Sequence, residues 1–526
     1  MQSMKHFLLV LLLAPSIAGA WTPPIGIPVP PWPSDLDIAR PTLPNPWTSE
    51  QAGWYYIDPS GCSDSRTYGR PGASRCSLPS SPAVGSIIAL NGTISGDKSI
   101  GFTGTSGAPI WIMGYNPESK PTISGGWEVT GGYVILDSLR FDRNSNDGNA
   151  GFTGHHLLVR DCLFRDPAGS SYGAGVYTTG SNIVFYHNTV LDQGDWQATS
   201  DVDRHGMKIA AGTADLWIVD NTLYHCQGDG VQVGDATNTA AQVNRVYLGR
   251  NTGYQNRQAC MATKNATDVI FSENICYDFD YGEDSLGSAM AAQYDPKYVW
   301  FLGNQIYNSR SGIKMSSSSA GDGGPWYVIG NLIYDVSSPE MDCNNYNMGG
   351  IAYRNAGGIT VLYNTLYNVD MFLAMPYGAG GTITVRNNVF STKTGSCDAL
   401  AVGPSFTHDY NLFTTSSYDP GSEPHRVVGD PKFVSPGISF ALQSGSPAID
   451  AANMSEEEAF VTFQTRYGID IRQDLAGTTR PQNTTWDIGA YEYTAADPSA
   501  AGSTAWSSGS GSTSHAAGAG SLTWGQ

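Results

Sequence analysis

Charged residues, and basic ones above all, are scarce in this sequence. Only 14% of the 526 residues are charged, and 28 basic residues stand against 47 acidic ones, giving a formal net charge of −19. A nucleic-acid-binding protein needs a basic surface to contact phosphates, so this composition argues against that class. Helical periodicity is also missing, whereas 62 glycines and 28 tyrosines are present. Abundant Gly and β-forming residues favour an extended all-β protein.

Long apolar runs are absent after residue 20, so we expect no membrane-spanning segment in the mature chain. Residues 1–20 combine Lys5 with the short apolar run FLLVLLLA and end in AGA. A basic start, a short apolar core and a small-residue end are typical of a secretory signal peptide, with mature Trp21 next. The sequence therefore predicts a secreted protein, extracellular or periplasmic, without a membrane partner.

The sequence has no C-x-x-C pair, which argues against a structural zinc site. Its eight cysteines fit an oxidising compartment instead. Cys62 and Cys76 lie in one loop-like stretch rich in Gly, Ser and Pro, so we predict a disulfide between them. Two further candidate pairs are Cys260–Cys276 and Cys343–Cys397.

A short motif recurs through the middle of the chain. An Asn follows a run of alternating apolar residues, and in most copies an aromatic residue comes three positions later; residues 221–235, NTLYHCQGDGVQVGD, contain one copy. A second short strand-like run, such as GVQVG, follows in most copies. The repeated residues are Asn188, Asn221, Asn251, Asn274, Asn304, Asn331, Asn364 and Asn387, spaced 23–33 residues apart, with Asp161 and Phe164 as an apparent earlier copy.

This repeat predicts the fold. Period-two alternation indicates strands with one buried face, and short helix-free repeats are typical of a solenoid. We predict an all-β, right-handed parallel β-helix of roughly 10–12 coils, the hand following from the crossover rule for parallel strands. Each Asn would adopt the left-handed turn conformation and bond to the Asn on the next coil, while the aromatic residues stack.

Composition divides the chain into segments. We predict a signal peptide at 1–20, a Pro-rich extended lead-in at 21–49, the β-helix at 50–426, a closing segment at 427–496 and a disordered Gly/Ser/Ala tail at 497–526. The closing segment ends in DIGAYE and resembles the last segment of many secreted bacterial β-helix proteins. It would cover the exposed strand edges of the last coil.

Equivalent residues on successive coils of a parallel β-helix lie about 4.8 Å apart, so a site forms a column rather than a linear motif. We align the second strands by their Gly or small-residue starts. One column is Lys208, Gln232, Met261, Met290, Lys314 and Ala352, and the next is Ala211, Asp235, Lys264, Gln293, Ser317 and Asn355. Segments holding Arg204, His205 and Asp229 lead into these columns. We predict a groove for a chain-like molecule. The aromatic residues available to stack on sugar rings are Trp196, Tyr254, Tyr281 and Tyr294.

The middle of the chain resembles the pectate-lyase-like β-helix superfamily. Its segment ATKNATDVIFSENICYD is similar to the segment that carries the base Lys in chondroitinase-B and alginate-lyase-like polysaccharide lyases. The resemblance implies that Lys264 is the base, although Gln293 and Tyr294 replace the Arg and His that the family places on the next coil. HGMKIAAG and GDGVQVGD also resemble calcium-dependent pectate lyases, whose calcium aspartates are matched here by Asp229 alone. Calcium is therefore the one cofactor that the sequence leaves open.

Lyase chemistry requires a cation beside the uronate carboxylate and a base for the neighbouring proton. A lysine can be that base when burial or nearby positive charge lowers its pKa toward the working pH. We therefore predict that Lys264, Lys208 and His205 are catalytic. The predicted substrate-binding residues are Arg204, Asp229, Gln232, Asp235, Tyr254, Gln293, Tyr294 and Lys314.

Other functions stay open at this point. A glycoside hydrolase could use carboxylates drawn from Asp201, Asp203, Asp229 and Asp235. A non-catalytic carbohydrate-binding or surface protein would need no such groups, and an epimerase would share the first step of the lyase. For each of the enzyme hypotheses, the expected partner is a polysaccharide, and for the lyase it is an acidic one. We expect the protein to be a monomer.

Overall fold

The structure is a computed structural model. It describes residues 21–142, 150–166, 172–198, 202–237, 239, 242–279, 287–318, 323–338, 343, 348–355, 357–374, 381–401, 406–421, 423–454 and 457–495. The predicted signal peptide, the predicted tail, Asp201 and Tyr281 lie outside these residues. Within the described ranges, no helix is long and apolar enough to cross a membrane.

Three parallel sheets of 14, 12 and 14 strands wind around one core. The first sheet consists of Trp54–Ile57, Ile87–Leu90, Ile110–Gly114, Gly132–Asp137, His155–Arg160, Ser181–Tyr186, Ala214–Val219, Asn244–Gly249, Thr267–Ser272, Lys297–Leu302, Trp326–Ile329, Ile359–Leu362, Ile383–Arg386 and Phe406–Asp409. The second sheet consists of Lys98–Ile100, Trp127–Val129, Ala150–Phe152, Gly173–Thr178, Arg204–Ile209, Val231–Gly234, Met261–Lys264, Ser288–Gln293, Ser311–Ser316, Gly349–Arg354, Leu373–Ala374 and Leu400–Ala401. The third sheet consists of Thr93–Ile94, Thr122–Ile123, Arg140–Asp142, Leu163–Asp166, Thr189–Gln193, Thr222–Cys226, Thr252–Tyr254, Ile275–Tyr277, Gln305–Ser309, Leu332–Val336, Thr365–Val369, Val389–Lys393, Leu412–Phe413 and Val427–Val428.

From Ile87 to Phe413 the strands of the three sheets alternate along the chain, so each complete coil in this range contributes one strand to each sheet. This is the predicted right-handed parallel β-helix, and the 12 strands of the second sheet agree with the predicted coil number. Inward-facing side chains of all three sheets form one continuous apolar core. Outside the coils lie a short antiparallel pair, Phe433–Ser435 and Ser439–Leu442, a 3₁₀ turn at Ser416–Tyr418 and one α-helix, Glu457–Tyr467.

The predicted Asn ladder is present at the turn between the first and third sheets. In each step, one Asn accepts both the backbone N–H and the side-chain amide of the Asn on the preceding coil; from Asn251 to Asn274 these distances are 2.9 and 3.0 Å. The left-handed residue, however, is the one before each Asn, such as Arg250 and Glu273 with φ of 48° and 55°. The Asn side chain thus satisfies buried backbone groups rather than relieving a strained turn.

The first and last copies of the predicted repeat each differ from the ladder by one residue, and the ladder continues beyond the last copy to Asn411. Asn388, not Asn387, accepts from Asn364, so Phe390 points into the core. At the other end, Cys162 rather than Asp161 holds the ladder position and donates its N–H to Asn188. Period-two alternation explains both errors, because a shift of one residue turns a side chain to the other face of its strand.

Replacing Asn274 with Ala should lower the free energy of unfolding by about 1–3 kcal/mol, because it leaves buried partners unsatisfied. The Asn251 amide groups would lose their acceptor, and the Leu248 carbonyl would lose a donor at 2.9 Å. Urea unfolding measures the loss. Asn116→Ala, in an exposed turn, is the control, and an equal change in both variants would contradict a stabilising role for the ladder.

The outer face of the first sheet is covered by both terminal segments. The lead-in is extended, and its Pro28 and Leu36 carbonyls accept from Trp217 Nε1 at 2.7 Å and Arg160 at 3.0 Å. Most of the closing segment also packs on this outer side, for example Phe463 against Trp300. Within the described part of the closing segment, Val427–Val428 extends the edge of the third sheet. The large aromatic side chains on this face are thereby buried.

Three disulfides are present among the described residues. Cys62–Cys76 is confirmed, with a Cα–Cα distance of 5.0 Å. The two further candidate pairs, Cys260–Cys276 and Cys343–Cys397, are also formed.

Candidate functional site

The predicted groove lies on the outer face of the second sheet. The strand register places Lys208 beside Gln232, then Ala262, Ala291 and Lys314 on the following coils. The alignment with Met261 and Met290 was therefore wrong by one residue, and both methionines point into the core. In the next outward column, Lys264 pairs with Gly234 on one side and Gln293 on the other. Asp235 is outside this column, one residue after Gly234.

One chain of hydrogen bonds links Lys208 and Lys264. Lys264 Nζ donates to Gln232 Oε1 at 2.9 Å, and Gln232 Nε2 donates to the Gly234 carbonyl at 3.2 Å. That same carbonyl accepts from Lys208 Nζ at 3.0 Å. The chain of hydrogen bonds thus runs from Lys264 through the buried Gln232 amide and the Gly234 carbonyl to Lys208, and it connects side chains of different coils.

Asp235 neutralises one of these cations. Lys208 Nζ lies 2.8 Å from Asp235 Oδ2, and the Asp235 side chain is 43% exposed. Although partial burial raises the pKa of Asp235, its hydrogen bond and ion pair with Lys208 outweigh that effect and lower the pKa overall. An incoming carboxylate would therefore compete with Asp235 for Lys208, while Lys264 is held by a neutral amide.

His205 and Asp229 form a buried pair behind the lysines. His205 Nδ1 accepts the Asp229 backbone N–H at 3.0 Å, which leaves the ring proton on Nε2. Burial, joined by the charges of Lys208 and Lys264, lowers the pKa of His205 well below 6.5. Although His205 Nδ1 lies 3.6 Å from Asp229 Oδ2, the two are not an ion pair, because the histidine is neutral.

Asp229 has a buried carboxylate, and one of its two oxygens has no hydrogen-bond partner. Its Oδ1 accepts the Ala259 N–H at 3.1 Å, whereas Oδ2 is buried without a hydrogen-bond partner. Burial raises the pKa of Asp229 to about 6, with nearby Asp203 adding to this rise and Lys264 opposing it. Buried, perturbed carboxylates of this kind are typical of functional sites.

An open cavity of about 270 Å³ extends from this cluster across two further coils. Ala262 and Ala291 form its floor, because their small side chains leave the space above them empty. Lys314 lines the far end, and burial, with help from the charge of Lys264, lowers the pKa of Lys314 to about 8. Gln293 and Tyr294 also line the cavity. Tyr294 is 39% exposed and has a φ of 64°, which is uncommon for a bulky residue.

Three predicted residues lie elsewhere. Arg204 is buried in an ion pair with Asp166, with side chains only 2% and 3% exposed. Tyr254 stacks between Tyr224 and Tyr277 on the third sheet, at centroid distances of 4.8 and 5.1 Å. Trp196 stacks on His225, which belongs to the third-sheet strand Thr222–Cys226.

Sequence reasoning missed Gln258, Ser288 and the two floor alanines. Gln258 lines the cavity and hydrogen-bonds to Asp203, which the hydrolase hypothesis had included. Correct alignment of strand starts would have found the alanines, because they share the column of Lys208. Gln258 and Ser288 carry no comparable signal, since they precede or begin their strands.

Asp203 and Asp229 both line the cavity. Within the described ranges, no group of three or more His, Cys, Asp or Glu could hold a metal ion.

Replacing Asp229 with Asn should stabilise the protein above pH 6. The raised pKa means that the folded chain binds this proton more tightly than the unfolded chain, so burial of the carboxylate costs stability as pH rises from 3.8 through about 6. Removing the charge should raise the free energy of unfolding at pH 8 by about 1–3 kcal/mol, with no gain below pH 4.

Urea unfolding at several pH values measures this effect. Asp235→Asn is the matched control with the opposite sign, because the lowered pKa of Asp235 marks a carboxylate stabilised by Lys208. A loss of stability in Asp229→Asn at pH 8 would show that the carboxylate is structural.

The comparisons with known proteins bear on architecture. No family model and no curated protein matches the sequence. The pectate lyase Pel9A is similar, with a TM-score of 0.44 at 16% identity over 84% of this chain and 96% of its own. A mannuronic-acid-specific polysaccharide family 6 lyase from human gut microbiota has a TM-score of 0.47 at 16% identity, covering 66% and 87% of the two chains.

A GH87 α-1,3-glucanase from Streptomyces thermodiastaticus strain HF3-3, represented by its catalytic unit, has a TM-score of 0.42 at 15% identity, covering 66% and 62%. The similar structures thus include both lyases and a hydrolase, and they do not decide the chemistry. By its own sheet topology, the chain is a right-handed parallel β-helix protein.

Proposed function

We propose that the chain is a secreted polysaccharide lyase that cleaves a uronic-acid-containing polysaccharide by β-elimination. The observation that carries this proposal is the hydrogen-bonded link between Lys208 and Lys264, through Gly234 and Gln232, beside the open cavity that Lys264 lines. Elimination needs one group to neutralise the carboxylate and a second to take the proton, and the two amines supply both. Three disulfides support export to an oxidising compartment.

In the proposed reaction, Lys208 and the Gln232 amide bind the uronate carboxylate, which displaces Asp235 from Lys208. Neutralising the carboxylate makes the C5 proton more acidic. Lys264, acting as a neutral amine after it has released a proton to solvent, takes the C5 proton. The C5–H electrons then form the C4–C5 double bond, and the C4–O bond breaks. The Lys264 ammonium returns the proton to the departing oxygen. Lys314 adds positive charge at the far end of the cavity, and Tyr294 offers a ring face at its rim.

One observation favours a glycoside hydrolase as the second candidate. Asp203 and Asp229 line the same cavity, and the raised pKa of Asp229, about 6, suits a general acid. In this alternative, Asp229 protonates the glycosidic oxygen and Asp203 acts as the base or nucleophile. In either reaction, His205 keeps Asp229 in place through its hydrogen bond with the Asp229 backbone N–H.

Product analysis on a panel of uronate polymers distinguishes these functions. Ultraviolet absorbance of an unsaturated uronide, rising together with new reducing ends, would establish elimination. New reducing ends without that absorbance would establish hydrolysis. Exchange of the C5 proton with solvent, without chain cleavage, would indicate epimerisation, and binding without any reaction would leave a carbohydrate-binding protein.

A further inference from the structure

A second cavity lies on the same outer face, upstream of the lysines. It has a volume of about 520 Å³, and its lining includes Asp97, Glu128, Gly151, Thr153 and Tyr177. The strand register connects the two cavities directly. Glu128, Gly151 and Tyr177 occupy one column on successive coils, and Lys208 occupies the same column on the coil after Tyr177. Glu128 is therefore roughly 14 Å, or three coil steps, from the first lysine of the proposed catalytic site.

The chemistry of this cavity differs from that of the lysine site. Glu128 is exposed, and its Oε1 accepts from the Thr153 hydroxyl at 3.2 Å, which leaves further acceptor positions for a ligand. Asp97 adds a second carboxylate, held by the Gly126 N–H at 2.7 Å. Lys98 lines the cavity too, but its ammonium donates to backbone carbonyls, including that of Ser95 at 3.0 Å. Two carboxylates would attract sugar hydroxyls and repel a uronate.

The space itself depends on Gly151. A Cβ at this position would meet the Glu128 side chain at 3.3 Å, and its backbone is not in the left-handed region. The backbone conformation therefore does not require glycine, and a larger residue would need the flexible Glu128 side chain to shift by a few tenths of an ångström. Its lack of a side chain opens a notch between Glu128 and the half-buried ring of Tyr177. A carboxylate on one side and an aromatic face on the other form a surface suited to a pyranose ring.

We infer that this cavity is a subsite for an uncharged sugar residue. Taken together with the proposed lyase function, on which this extension rests, the substrate is a heteropolysaccharide in which neutral sugars accompany the uronate, rather than a polymer of uronate alone. The groove would then bind one chain along both cavities, with its neutral part over Tyr177 and its acidic part at the lysines.

Calorimetric titration with neutral β-1,4-linked hexasaccharides, namely cellohexaose, xylohexaose and mannohexaose, tests the subsite without relying on catalysis. At least one of them should bind the wild-type protein. Gly151→Leu, which fills the notch, and Tyr177→Ala, which removes the ring, should each weaken that binding by about tenfold. Glu128→Ala should also weaken it, and this exposed position leaves the core intact.

Two controls make the result specific. Glu118→Gln removes a carboxylate from an exposed turn outside the groove and should leave binding unchanged. Lys297→Ala, at an exposed position on the first sheet, should also leave neutral-sugar binding unchanged. The subsite is overturned if none of the three hexasaccharides binds, or if Gly151→Leu and Glu128→Ala both bind as tightly as the wild type. Failure of the lyase proposal would show separately, as a lack of unsaturated product with the subsite binding intact.

Discussion

Turnover of a uronate polymer by the Lys264→Ala variant should fall by on the order of 10²–10⁴, the usual contribution of a positioned acid–base group. The alanine cannot accept the C5 proton, while Lys208 and Gln232 still hold the carboxylate, so KM should change much less than kcat. Folding should be nearly unaffected, because the Lys264 side chain is only half-buried and its hydrogen bond goes to a side-chain amide. Initial rates of unsaturated product formation measure the effect.

Three further lysine variants distinguish the residues that bind substrate from the residue that acts as the base. Lys208→Ala should mainly raise KM, because it removes the cation that binds the carboxylate. Lys314→Ala should also raise KM, with kcat largely kept. Lys297→Ala, at an exposed position on the first sheet, should behave as wild type.

The alternative outcomes are equally informative. A kcat loss confined to Lys314→Ala would move the base to Lys314, whose lowered pKa of about 8 makes it the other candidate. Mild effects of all the lysine changes, together with inactivation by Asp229→Asn, would favour the hydrolase.

Arg204→Ala should destabilise the fold by about 3–5 kcal/mol, the usual cost of removing one partner from a buried ion pair. Arg204 and Asp166 bridge the second and third sheets, and both side chains are almost fully enclosed. The variant would leave the Asp166 carboxylate buried and without its cation. Urea unfolding measures the loss.

The double variant Arg204→Met with Asp166→Leu serves as the control, because replacing both charges by apolar groups should recover most of the stability. Wild-type stability in Arg204→Ala, combined with a higher KM, would instead support the sequence-based prediction that Arg204 binds substrate.

Part of the site was predictable because solenoid geometry converts sequence spacing into spatial columns. Lys208, Gln232 and Lys314 share one column, and Lys264 and Gln293 share the next, as their positions in the repeats indicated. Errors arose where the start of a strand was ambiguous, as at Met261, since a shift of one residue exchanges the core and surface faces. The ion pair of Arg204 was not predictable, because Asp166 comes from another sheet and coil, whereas the stacking of Tyr254 follows from its place in the repeat.

The sequence by itself determined the coil. Its alternating strands, its repeat length and its Asn residues specify parallel stacking, because buried backbone groups and one apolar face must be satisfied in every repeat. Only the tertiary structure decided which wall of the coil is accessible. The lead-in and the closing segment cover the first sheet, and their contacts join residues as far apart as Trp217 with Pro28 and Trp300 with Phe463. The tertiary structure likewise decided how Lys208 and Lys264 are linked. A lysine side chain spans the gap between coils, so the position of its Nζ depends on the hydrogen-bond partners that neighbouring coils offer.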